Sequence, residues 1–287
     1  MVRGYLRSEC VKELLSQAQD SSLTHSTLQL RAAMSAIRHP CLIMGQCPSN
    51  FEGRNNYPNR LKPFSDAFYH KVTASQDYPL APEEQGRAYF FEDTGIQFIA
   101  LNTAWEIDQF HPRRSGVHPE ALANALAAAD RQVREAIEDR RVEEGGARLR
   151  IAVFHHAIGG PWAMQDLAFL ENLQTAGVRL CLHGDVHEMR RQWIDYWDEE
   201  RGLRVLGAGT FGARRDAITE GSARSYNLIE ITPDLTSARV YVREQPKPDG
   251  AWRGWNRFPD PDGGRGEVPF FHVELDPRRT RRNTKKY

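Results

Sequence analysis

The residues best suited to chemistry form two clusters. His155 and His156 close the apolar run "IAVF", and "HGDVHE", with His183, Asp185, His187 and Glu188, completes the run "RLCL". Both clusters fall where a buried strand passes into a loop, the edge at which open α/β sheets bind ligands. Neutral imidazole and carboxylate together suit zinc, manganese or iron. In Asp185-Val186-His187 the two donor side chains are two positions apart, so an extended or turning backbone can aim both at one centre. Spacing alone leaves two readings open: a metal site, or a Gly-Asp turn that happens to hold histidines.

Such clusters need a scaffold, and the hydrophobic pattern supplies alternating helices and strands. Ser8 precedes a short helix-like stretch, and "TLQLRAAMSAIR" (27–38) has helical spacing. "CLIMG" (41–45) is a buried strand, and the Asn-, Pro- and Gly-rich residues 46–66 form a long loop with little regular structure. Strands at about 87–92 and 96–102 are joined by a tight "DTG" turn. Pro119 opens an alanine-rich helix running to about Arg141. A strand over 149–157, a helix over 164–177 stopped by Gly177, and a strand beginning at Val178 carry the two clusters. The charged stretch after "HGDVHE" is helix-like. "LRVLGAGTFG", "YNLIEIT", "ARVYVRE" and "PFFHVEL" then make the last third mostly β. The simplest organisation is one α/β domain over 1–275 and a basic tail over 276–287, containing "RRTRRNTKK". A solvated terminus is the plain reading of that tail, and a phosphate or nucleic-acid contact is the other.

Composition narrows the classes. Lysine plus arginine equal aspartate plus glutamate at 38 each, so no global field draws in nucleic acid or membrane. Cys10, Cys41, Cys47 and Cys181 form no C-x-x-C pair, which suits reduced thiols rather than a disulfide framework. The amino terminus lacks the apolar core of a signal peptide, and no run approaches the roughly 18 apolar residues of a membrane span. These features read as a soluble cytoplasmic protein.

The order strand–"HH", helix, strand–"HGDVHE" resembles the calcineurin-like metallophosphoesterases. "FIALNTAW" is similar to that family's strand ending in Leu-Asn-Ser, and "LGAGTFGA" and "YNLIEI" are similar to its second-sheet strands. The resemblance covers about residues 28 to 243. It implies a layered α-β-β-α sandwich with two mainly β sheets facing each other and helices outside. It also implies hydrolysis of phosphate esters by two metals about 3.5–4 Å apart, which polarise the phosphoryl oxygens and activate water. By match, His155 is the family's lone metal-binding histidine. Asp185 stands where the first histidine of Gly-His-x-His belongs, and His187 is the second. His156 is the candidate substrate contact.

The departures from the family are as specific as the matches. In "IMGQCPSN" (43–50), Gln46, Cys47 and Pro48 occupy the Gly-Asn-His-Asp stretch, and Cys47 replaces the histidine that protonates the leaving group. Residues 1–40 contain no Asp-x-His followed by Gly-Asp, so the first family strand and its bridging carboxylate are expected to be missing. The resemblance then implies one weakly held divalent ion (manganese, iron or zinc) on His155, Asp185 and His187, with activity reduced or lost. Its substrate would be a small phosphate ester or a nucleotide. A catalytically silent binding or regulatory member of the fold, and a fragment of a longer enzyme, are the competing readings. The open sheet edge invites a homodimer. Asn102 and Glu188 are candidates to orient the ligand histidines. Arg113 and Arg114 suit a solvated loop or a phosphate contact, and Trp252 and Trp255 suit packing on the late sheet or stacking on a base.

Overall fold

The apolar runs that carry the two clusters pair with one another in parallel. In the computed structural model the described residues are 59–72, 76–108, 110–146, 148–159, 163–164, 166–184, 190–194, 202–209, 223–247, 250–261 and 263–276. All of them belong to the unit His39–Tyr287. The helices and strand expected between residues 8 and 45, and the tail from 277 onward, lie outside the described residues.

Six strands build the larger sheet: β1 (Gly86–Phe91), β2 (Ile96–Leu101), β3 (Leu149–Phe154), β4 (Val178–His183), β5 (Arg190–Ile194) and β6 (Leu203–Gly207). Their spatial order is β1-β2-β3-β4-β6-β5. The four central strands run parallel, and among the described residues β1 and β5 are the antiparallel ends of this order. Parallel strands buried on both faces read as continuous apolar runs rather than alternations, and β2, β3 and β4 are buried at nearly every position. The chain is therefore of mixed α/β class. At the β1–β2 turn Gly95 has φ 68°, a left-handed conformation that glycine adopts without a Cβ penalty.

One face of this sheet receives the helices α1 (Pro119–Glu138) and α2 (Ala168–Thr175). Pro119 sits in the first turn of α1, and its buried stripe is Ala121, Leu122, Ala125, Ala129 and Ala136. Small side chains let the helix lie close: a Cβ at Gly86 would overlap the main chain of Ala121. The shared core includes Ile99, Leu101, Phe154, Phe169, Leu170, Leu173 and Cys181. Arg150 ties this layer together by donating to Gln97 Oε1 at 2.9 Å, to Ala176 O at 2.7 Å and to the Asp130 carboxylate. α1 stops at Glu138, short of Arg141, because Arg140 turns left-handed (φ 56°) and the Arg141 N–H closes back on Ala136 O at 2.8 Å. α2 begins at Ala168 rather than Met164; Met164 is buried and its N–H donates to Ala157 O, while Asp166 accepts the Ala168 N–H.

Two expectations are corrected. Residues 62–72, partly inside the expected loop, are helical: Lys62–Phe64, a wider turn at Ser65–Tyr69, and His70–Val72. Pro63 is tolerated there because it lies in the first turn, where its missing N–H costs nothing. The charged stretch after "HGDVHE" contains strand β5, which pairs with the open edge of β6 from Arg190↔Gly207 to Ile194↔Leu203.

The second sheet contains β7 (Arg224–Ile231), β8 (Ser237–Gln245), the short β9 (Arg253–Gly254) and β12 (Phe270–Glu274). β8 lies between β7 and β12, and β9 pairs with its far end. The ribbon β10–β11 (Phe258–Pro259 with Glu267–Val268) is separate. β7, β8 and β12 alternate buried and open positions, as antiparallel strands with one covered face do. This sheet is linked to β6 where Arg204 Nε donates to Glu274 O at 2.9 Å and Asn227 Nδ2 donates to Gly207 O at 3.4 Å. Among the described residues no helix is long and apolar enough to cross a membrane.

Candidate functional site

The parallel strands end on a common edge, and β2, β3 and β4 deliver Asn102–Thr103, His155–His156 and His183–Gly184 to it. The ladder continues past the last strand residues: the Gly184 N–H donates to His155 O at 3.0 Å, and the Ala208 N–H to His183 O at 2.9 Å. These bonds fix the heights of the strand ends relative to one another.

His155 and His156 turn to different neighbours. The Thr103 hydroxyl accepts the backbone N–H of His156 at 3.2 Å and shares a hydrogen with its Nδ1 at 2.8 Å. Thr103 is wholly buried and His156 nearly so. Burial, with His155 adding to it, lowers the His156 pKa to about 4, so the ring is neutral at physiological pH. Thr103 also controls its tautomer. If the hydroxyl donates, the ring hydrogen sits on Nε2. If the ring donates, Nε2 keeps a lone pair.

His155 lies toward β4 instead. A Cβ at Gly184 would come within 3.3 Å of His155 Nδ1, so the glycine leaves room for the imidazole at the β4 end. The His155 and His156 ring centroids are 5.0 Å apart at 79°. His183 belongs to the core: its ring lies parallel to Phe154, centroids 6.1 Å apart, and its Nδ1 donates to Gly184 O at 2.9 Å.

Of the expected metal ligands, His155 is described and stands at this edge. Asp185 and His187, which follow Gly184 directly in sequence, lie outside the described residues, as does Glu188. Among the described residues no three His, Cys, Asp or Glu side chains gather as a cation site. The described donors at this edge are the His155 imidazole and, beside it, the His156 ring that Thr103 engages.

Asn102 is not the partner of the histidine pair. Its Nδ2 donates to Gln85 Oε1 at 2.7 Å and its Oδ1 accepts the Ala104 N–H at 2.8 Å, so it shapes the loop after β2. Thr103 engages this pair instead, through His156 and not the expected ligand His155, and its only sequence signal is the hydroxyl in "LNT" at a strand end. Arg113 and Arg114 are exposed in the loop after β2. Trp252 packs edge-on against Tyr226 with centroids 4.8 Å apart, and Trp255 against Phe258 at 5.5 Å. Cys181 is a buried free thiol whose pKa burial pushes up, so it is inert.

No protein-family model matches this chain, and no curated protein matches it in sequence.

Proposed function

We propose that this chain is a degenerate relative of the calcineurin-like metallophosphoesterases. In this reading it has the family's α-β-β-α sandwich and holds one divalent ion at the ends of β3 and β4 through His155, Asp185 and His187. It turns over phosphoesters slowly or not at all. The supporting observation is the placement of His155 against Gly184, where two adjacent parallel strands end and the "HGDVHE" motif continues. A bound divalent ion would supply Lewis acidity toward phosphoryl oxygens. Thr103 holds the neutral His156 beside that position, where it can meet a substrate oxygen without adding charge. Slow turnover follows from the sparse ligand set and from the thiol of Cys47, which stands where the family has the imidazole that protonates the leaving group.

Two measurements test this reading. Calorimetric titration with manganese or zinc is expected to show weak binding to the wild type and none to His155→Ala; indistinguishable titrations would remove the metal assignment. Hydrolysis of bis-(p-nitrophenyl) phosphate with manganese is expected to be slow at most. Robust turnover that disappears in His187→Ala would show a complete catalytic centre and refute the degenerate-site reading.

A further inference from the structure

The second sheet has a face that the strand-edge site does not use. On β7, β8 and β12 the buried residues Ile229, Val240, Val242, Phe271 and Val273 form one side. Alternation turns Tyr226, Leu228, Arg239, Tyr241, Arg243 and Phe270 to the other, and all six are only half-buried. The register sets them in rows across the strands, Leu228↔Tyr241↔Phe270 and Tyr226↔Arg243. Trp252, just before β9, extends the second row: Gly254 pairs with Arg243, and the Trp252 ring meets Tyr226 edge-on with centroids 4.8 Å apart. The outward positions of an antiparallel sheet ordinarily carry polar side chains. Here they carry four aromatic rings interleaved with arginines.

Contacts within the face hold these groups in place. The Tyr241 and Phe270 rings lie 5.6 Å apart, and Arg239 sits over Phe270 with Cζ 4.8 Å from the centroid. Arg239 Nε donates to His272 Nε2 at 3.0 Å, and the Tyr241 hydroxyl donates to Glu230 at 3.2 Å. Arg243 donates to Trp252 O at 3.2 Å. Charge is graded along the strands. The carboxylates Glu230 and Glu274 pair in register with Arg239 and Ser237 at one end, while Arg243 and Arg224 stand with Tyr226 and Trp252 at the other. Rings and guanidiniums in alternation match the two repeating parts of a single-stranded nucleic acid, flat unpaired bases and a phosphate on every nucleotide. The chain then runs on from β12 into "RRTRRNTKK", six cations in nine residues, which adds long-range attraction for a polyanion.

We propose that this outer face of the second sheet binds single-stranded nucleic acid, with bases stacked on Trp252 and Tyr241 and phosphates on Arg243 and Arg224. Stacking and phosphate pairing do not read the sugar, so ribose and deoxyribose strands are both ligands. The proposal stands independently of the phosphoesterase reading.

The test is fluorescence anisotropy of labelled oligothymidylate and oligouridylate, each about 15 nucleotides long, with the full chain and EDTA present. Both are expected to bind the wild type, and more tightly than a duplex of the same length. Trp252→Leu, which keeps apolar bulk but loses the stacking surface, is expected to bind about 5- to 100-fold more weakly. Arg243→Gln is expected to lower the slope of log affinity against log salt by about 0.7. Arg253→Gln is the control: its guanidinium pairs with Glu244 at 2.8 Å on the opposite face, and it is expected to bind as the wild type does. Absence of binding to the wild type or preference for the duplex would overturn the proposal. So would wild-type affinity in Trp252→Leu, which would place the strand on the basic tail, or equal losses in Arg243→Gln and Arg253→Gln, which would show generic charge. A dimer by light scattering that Trp252→Leu dissociates would assign the face to a second copy and overturn it as well. If circular dichroism shows that Trp252→Leu does not fold, the comparison of Arg243→Gln with Arg253→Gln decides alone.

Discussion

Replacing Thr103 by valine keeps the shape of the side chain and removes one oxygen, which makes it a clean probe of the strand-edge site. That oxygen holds the His156 N–H at 3.2 Å and the His156 Nδ1 at 2.8 Å, in a place with no exposed surface on Thr103. Valine leaves both groups buried and unsatisfied. Each such loss costs about 1–3 kcal/mol. The lost cost of burying the hydroxyl returns about 1 kcal/mol or more. The expected net destabilisation of Thr103→Val is therefore about 1–5 kcal/mol, read as a lower urea midpoint at unchanged slope. Tryptophan fluorescence and far-ultraviolet circular dichroism should give one coincident transition if the comparison is to be read as a single equilibrium. A double-mutant cycle with His156→Ala isolates the ring bond from the backbone bond. Its coupling energy should be about 1 kcal/mol, since only the Nδ1 contact is shared by the two side chains. A Thr103→Val protein within about 0.5 kcal/mol of wild type, below the usual loss for such a site, would refute the placement of the hydroxyl between strand and imidazole. So would a coupling energy of zero.

Two further outcomes follow from the same contacts. His156 has its pKa lowered from the ordinary 6.5 to about 4, so the unfolded chain binds more protons between those values. Stability is present above pH 6.5 and is lost as the pH falls through this window, by about 3 kcal/mol in total, at about 1.4 kcal/mol per pH unit. Denaturant midpoints for His156→Gln should fall less steeply over that range, and an identical acid limb would show that His156 does not titrate on unfolding. Gly86→Ala drives a Cβ into the main chain of Ala121, so α1 must shift off the sheet. The expected cost is about 1–3 kcal/mol by chemical denaturation. A neutral result would mean that helix and strand are not in contact there.

The central strands and α1 were legible because burial on two faces and a one-sided helical stripe leave marks in the sequence. Ile96–Leu101, Leu149–Phe154 and Val178–His183 are apolar nearly throughout, and β7, β8 and β12 alternate as a sheet with one covered face must. β5 was not legible. Its "RRQWI" looks like charged helix, and what makes it a strand is the line of backbone donors and acceptors on β6, which accepts a partner whatever its side chains are. The segment 62–72 was hidden for a different reason. Asparagines and prolines before it marked a loop correctly, but proline also begins helices, and Leu61, Phe64 and Tyr69 supply the buried side that holds this one.

At the site, the sequence located the edge but not the division of labour between two adjacent histidines. A continuous strand would have sent His155 and His156 to opposite faces by its period of two. β3 ends at Phe154, however, and the chain bends immediately afterward, so period gives no parity for the next two residues. What assigns them is tertiary: Thr103, about fifty residues earlier in the chain, captures His156 twice, and Gly184, about thirty later, leaves the space that His155 fills. The consequence for chemistry is direct. His156 Nδ1 is engaged by Thr103, so any ligand role for that ring must pass through Nε2 and depends on which partner keeps the shared hydrogen. His155 carries no such dependence on Thr103, and it stands beside the last described residue before Asp185. A one-ion site built on His155, Asp185 and His187 therefore leaves His156 as a neutral neighbour. Substituting His156 should then change the handling of substrate far more than the affinity for metal.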